Sequence, residues 1–170
     1  MKIETLRDLF EIELRYAYDG EQKLVNKGLP TMIEACSSTE LKNGLQQHLR
    51  ETQSHVSRLE QIFSMIGAQA KTDSNDIFDK MASAVKDSIS HTDDNTSVRD
   101  AALVVNGNVV EHYEMAVYGS LIAFAKQLGF QQAIPLLQQT LEEEKAADSK
   151  LTQIGETVIN ASAAQGRRAA

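Results

Sequence analysis

Apolar residues recur every three or four positions along almost the whole of this 170-residue chain, and only Pro30 and Pro135 interrupt it. That period dictates helices. A strand-and-turn architecture would need many more breakers. The first long helix is predicted over residues 2–28, with Leu6, Phe10, Leu14, Ala17 and Leu24 on one face. Gly28, Leu29 and Pro30 are expected to break it, because proline lacks a donor and disfavours helix in the residue before it. A short continuation over 31–36 follows. The second long helix starts at Ser38 or Thr39, with Glu40 in its first turn, and runs to about Ile66, where Gly67 stops it. The third spans Ser97 to about Leu128 and ends at Gly129. The fourth starts near Gln131, carries Pro135 in its first turns where a missing donor costs least, and reaches about Asn160.

The joints between these helices are short, long, short. The long one, residues 68–96, brackets a short amphipathic run (Ile77, Phe78, Met81, Val85, Ile89) with polar stretches. A helix of about 28 residues is roughly 42 Å long, a distance this connection can cover. The expected fold is therefore all-α: a four-helix bundle with one long crossover containing a short fifth helix. Residues 1–160 make the bundle, and 161–170 are expected to be a mobile tail.

Within this pattern some core positions are wrong. On the fourth helix the stripe 137, 141, 144, 148, 151 reads Leu, Leu, Glu, Asp, Leu. One carboxylate in a dry core costs several kcal/mol even after relaxation. The other helices repeat the anomaly: Glu21 on the first, His48, Glu51 and His55 on the second, Glu111 and Glu114 on the third. Glu21 precedes Glu51 by 30 residues and Glu114 precedes Glu144 by 30. Each of those second glutamates has a ligand-type residue four positions on, His55 and Asp148. In antiparallel hairpins such spacings bring the acids to one height. Their mutual repulsion needs compensation, and two metal ions supply it. Oxygen-rich ligation with one or two imidazoles suits iron first, with manganese or zinc as alternatives. Carboxylates can bridge two such ions.

The expected ligands are Glu21, Glu51, His55, Glu114, Glu144 and Asp148. Glu111 stands evenly between a further ligand and an outer base. His48, one turn from the centre, is expected to support the site rather than bind in it. Tyr18 and Tyr118, one turn from Glu21 and Glu114, are expected to hydrogen-bond ligand carboxylates. Glu142 and Glu143 read as solvated.

The net charge of −7, with Arg167-Arg168 as the one basic pair, argues against nucleic acid or an anionic membrane as partner. A single cysteine, Cys36, excludes an intramolecular disulfide and a thiolate cluster. No signal segment or membrane-length apolar run is evident, so a cytoplasmic location is expected.

Four ordered motifs carry a resemblance: "LRDLFEIELRYAYDGEQKLV" (6–25), "HLRETQSHVSRLE" (48–60), "EHYEMAVYGSL" (111–121) and "LEEEKAADSKL" (141–151). Over residues 2–158 the chain resembles the YciE/YciF family of bacterial ferritin-like proteins. The resemblance implies a ferritin-like bundle, a dinuclear metal centre, a homodimer and a link to stress responses. It implies no settled reaction. The wider ferritin-like pattern has one Glu from each of two helices and Glu-x-x-His from each of the other two. Carried over, Glu21 and Glu114 are the single glutamates, and Glu51 and Glu144 belong to the pairs. Here Ser54 and Ala147 stand three residues on, and His55 and Asp148 stand four on, about 100° away around the helix. Two readings follow. One is Fe(II) oxidation or turnover of O2 or H2O2 at a dimetal site. The other is a non-catalytic structural or interaction bundle with a structural or vestigial metal site.

Overall fold

The computed structural model describes residues 2–166. Of the expected tail, residues 167–170, Arg167-Arg168 among them, lie outside the described residues.

The first rod begins at a capping box: Thr5 accepts from Asp8 N, and Asp8 accepts from Thr5 N. α1 runs Leu6–Lys23, and the rod does not break at Gly28. A π-helical turn, Leu24–Gly28, leads straight into α2, Leu29–Ala35. The Leu29 N–H donates to the Leu24 carbonyl, five residues back. Pro30 then falls in the first turn of α2, where its missing N–H is no loss. The expected break is therefore corrected to a bulge.

α3, Thr39–Met65, starts at Ser38, whose side chain accepts from Leu41 N. The corner between α2 and α3 is held from across the bundle. The buried Asp100 carboxylate accepts from Ser37 N at 2.8 Å and Ser38 N at 2.9 Å. Asp100→Ala leaves those two donors without partners. It is expected to cost about 2–4 kcal/mol, with Asp100→Asn losing about half of that, as read by urea unfolding.

α4, Asp76–Ser90, is the short helix of the crossover, capped by Asn75. α5, Ser97–Leu128, ends on Gly129, whose φ of 76° is the left-handed cap that glycine adopts without strain. α6, Ile134–Ile154, passes through a second π turn, Gly155–Ile159, into α7, Asn160–Ala164. Helix thus continues four residues into the segment expected to be tail.

The α1–α2 rod and α3 form one antiparallel hairpin, and α5 and α6 the other. α1 packs on α3 and α5, α6 packs on α3 and α5, and α4 lies along α5. The chain is the all-α bundle expected, with a ferritin-like one-crossover topology. No described helix is long and apolar enough to cross a membrane.

Two apolar cores lie end to end. One gathers Phe10, Leu14, Leu59, Phe63, Leu121 and Leu137. The other gathers Leu24, Leu41, Leu45, Phe78, Leu103, Leu151 and Ile159. Between them, on all four long helices, sits a layer of buried polar side chains: Glu21, His48, Thr52, His55, Glu111, Glu114, Thr140 and Glu144.

Candidate metal centre

α1 brings Glu21 into this layer, α3 brings His48 and His55, α5 brings Glu111 and Glu114, and α6 brings Glu144. Glu21, His55 and Glu144 have no exposed surface. His55 Nδ1 lies 3.0 Å from Glu144 Oε1 and 3.4 Å from Glu21 Oε1. His48 Nε2 lies 3.2 Å from Glu111 Oε1 and 3.8 Å from Glu144 Oε2. Two ligand groups result: Glu21, His55 and Glu144, and His48, Glu111, Glu114 and Glu144. Glu144 belongs to both, one carboxylate between two positions.

The donor atoms of each group lie within 4.8 Å of one another. Two ligands that each stand about 2.1 Å from one ion can be about 4.2 Å apart, so only small side-chain shifts separate these groups from ligation. Among the described residues, eight buried atoms of this layer make no aligned hydrogen bond, though some lie close to one another: Glu21 Oε2, both nitrogens of His48, His55 Nδ1, Glu111 Oε2, Glu114 Oε2 and both oxygens of Glu144. Buried polar atoms are rarely left so. The donor set fits metal.

Without metal the layer balances itself with protons. Burial, and then the neighbouring carboxylates, push Glu111 and Glu114 well above the usual carboxylate range. Burial pushes Glu21 up as well, against the pull of His55. Burial acts the same way on Glu144, but the close contact with the charged His55 outweighs it and holds its carboxyl below the usual range. Burial would lower His55. Glu21 and Glu144 overcome that and raise it to about 11.

The other face of His55 is fixed from outside. Its Nε2 lies 2.9 Å from Glu143, and Glu143 is gripped by Arg58 through two bonds, at 2.6 and 2.9 Å. Arg58 also donates to Thr140. This chain turns Nδ1 toward Glu21 and Glu144, as a carboxylate behind a metal-binding imidazole does. Glu143 is therefore not the solvated side chain expected from sequence. Its role is legible only once α3 and α6 face each other.

Other expected residues land apart from the layer. Glu51 stands at its rim, its side chain 32% exposed, 3.8 Å from His48 Nδ1 and bonded to Gln47. Asp148 faces α5, accepting from Asn108 at 2.6 Å and lying 3.3 Å from the exposed His112. Tyr18 donates to Glu60 rather than to a carboxylate of the layer. Tyr118 does reach the layer: its hydroxyl donates to Glu21, and burial keeps it a phenol. His48, expected to lie one turn out, has its Nε2 inside.

A one-crossover helical bundle with a waist of buried glutamates and two histidines is the architecture of ferritin-like proteins. Among these, the chain belongs to the family described as a domain of unknown function, DUF892, which matches residues 5–164. Protein YciF of Escherichia coli strain K12 is 35% identical over 161 residues, 94% of this chain and 96% of its own. The crystal structure of that stress protein aligns with a TM-score of 0.87 at 34% identity, covering 93% of this chain and 99% of that one. YcfI of Rhodopseudomonas palustris, described as a candidate structural protein, aligns with a TM-score of 0.85 at 39% identity, covering 89% of this chain and 95% of its own.

Proposed function

We propose that this protein holds two metal ions in its polar layer, iron in the first place and manganese or zinc as competitors, and oxidises Fe(II) or turns over O2 or H2O2 in a bacterial stress response. The observation that carries the reading is the set of eight buried atoms without an aligned hydrogen bond on two ligand groups that share Glu144. The stress link comes from the E. coli relative. Bound iron would supply one-electron chemistry toward oxygen or peroxide.

The chain's own residues do the rest. Glu21, His55 and Glu144 hold one position, and His48, Glu111 and Glu114 complete the other with Glu144. Glu143 and Arg58 keep the His55 ring oriented. Tyr118, itself buried in the adjoining apolar core, fixes Glu21 with a hydrogen bond. Protons displaced by the ions leave from Glu111, Glu114 and His55.

The test is metal content after anaerobic Fe(II) loading and removal of loose metal. The expected result is about two irons per chain, as two carboxylate-bridged positions require, oxidised on admission of O2 or H2O2. A chain that retains neither iron, manganese nor zinc overturns the reading.

A second reading has its own support. The protonated carboxyls and the His55 ion pairs close the layer without metal, and the R. palustris relative is described as structural. Bound metal that stays redox-silent, with an unfolding temperature that drops on chelation, favours this bundle of structural role. The homodimer implied by the resemblance has a surface available. Val98, Val105 and Val109 of α5 and Ile77 of α4 are about half exposed or more.

A further inference from the structure

The layer is closed on most sides by the two apolar cores, but between α3 and α6 it is open. A cavity of about 310 Å³ lies there. Small residues make it: Gly44 on α3, and Ala146 and Ala147 on α6. Larger side chains at these three positions would fill the gap between the helices. The floor of the cavity is His48, whose side chain is only 7% exposed. Glu51 and Lys150 are the two charged side chains at its rim.

His48 presents a different nitrogen to each side. Nε2 belongs to the layer, 3.2 Å from Glu111. Nδ1 points the other way, 3.8 Å from Glu51 Oε2, with no hydrogen-bond partner among the described residues. An imidazole nitrogen and a carboxylate oxygen at that separation can both touch one ion, since each stands about 2.0–2.2 Å from it. Glu51 is half-buried and in reach of solvent, so an ion there would keep part of its water shell.

We propose that the α3–α6 opening is the way in for divalent cations, and that Glu51 and Nδ1 of His48 form an outer docking position from which the ion passes to the layer. This rests on the metal reading above. It gives Glu51 a role that its distance from the inner ligand groups otherwise denies it. It also assigns a role to each rim charge. Glu51 attracts the arriving cation, and Lys150 opposes it.

The experiment is stopped-flow uptake of Co(II) by the metal-free full chain, followed by the visible absorption of the bound ion. Glu51→Gln is expected to slow uptake by about five-fold, one charge's share of the roughly 10- to 1,000-fold by which a charged cleft raises on-rates. Lys150→Glu is expected to speed it. Ala147→Leu, which narrows the opening, is expected to slow it by about ten-fold. The final Co(II) content is expected to be the same in all three as in wild type, because none of these residues belongs to the inner groups. Uptake rates within two-fold of wild type in Glu51→Gln and Lys150→Glu overturn the route while leaving the metal reading standing. A wild-type chain that takes up no Co(II) overturns the metal reading and the route with it. Should Ala147→Leu fail to fold, by circular dichroism, the two rim variants decide.

Discussion

Replacing Glu144 with alanine is expected to take the iron content from about two per chain to near zero, since one carboxylate serves both positions. Among the described residues Glu144 alone is present in both ligand groups, it is wholly buried, and neither of its oxygens makes an aligned hydrogen bond. Its loss also acts on the metal-free protein. His55 would keep its proton and lose the nearer of the two carboxylates on its Nδ1 side, with Glu21 and, at Nε2, Glu143 left beside it. Breaking a buried pair from one side costs about 3–5 kcal/mol. Urea unfolding of the metal-free variant reads that loss directly. Glu142→Ala is the control, two residues away on the exposed side of α6, and is expected to change neither quantity. Two irons retained in Glu144→Ala would refute the shared-ligand arrangement.

The metal-free protein is expected to lose stability as pH rises, by about 2–3 kcal/mol between pH 6 and pH 9, a scale set by buried charge pairs. His55 goes from 6.5 in the unfolded chain to about 11 in the fold. Its contribution is full below 6.5 and is lost as pH climbs toward 11. Glu21, Glu111 and Glu114 are raised in the fold. Each favours the protonated fold, so its contribution is present below its unfolded value of 4.5 and declines as pH passes its folded value. Glu144, Glu143 and Glu51 are lowered and act in the opposite sense, but only as pH falls into the acid range. Above pH 6 the first set governs. Loading with metal is expected to reverse the trend between about pH 5 and 8, because ions replace the protons and bind more tightly as those protons leave. Urea midpoints for the metal-free and loaded chain across this range check both slopes. A metal-free midpoint that rises toward pH 9 would contradict the proton-balanced layer.

The bundle was legible because its cause is local: a three-to-four apolar period, two prolines and glycine stops at Gly67 and Gly129. The crossover followed from loop length alone. The π turns were not legible. Nothing in Leu24–Gly28 distinguishes a wider turn from an ended helix, and Pro30 behind it reads as a breaker when the bulge in fact makes room for it. In the site, a stripe counted in steps of three and four drifts. On α3 the line of buried residues runs through His48, Thr52, His55 and Leu59, and Glu51 lies roughly 70° from its centre at 100° per residue. His48 and His55, seven apart, are only about 20° from each other. That relation was available in the sequence and marks His48 as the partner of His55. Asp148 is displaced in the same manner, about 40° from Glu144, enough to aim it at α5. Glu143 and Arg58 were beyond reach, because their value depends on which helix faces which.

The polar layer also divides the protein's tolerance of change. Each apolar half is built from all four long helices and makes little contact with the other across the waist. Substitutions more than about 7–10 Å apart with no shared partners contribute additively. A defect among Phe10, Phe63 and Leu121 and one among Leu41, Leu103 and Leu151 therefore sum without compounding. Sequence drift at one end leaves the other end, and the spacing of the glutamates between them, where they were.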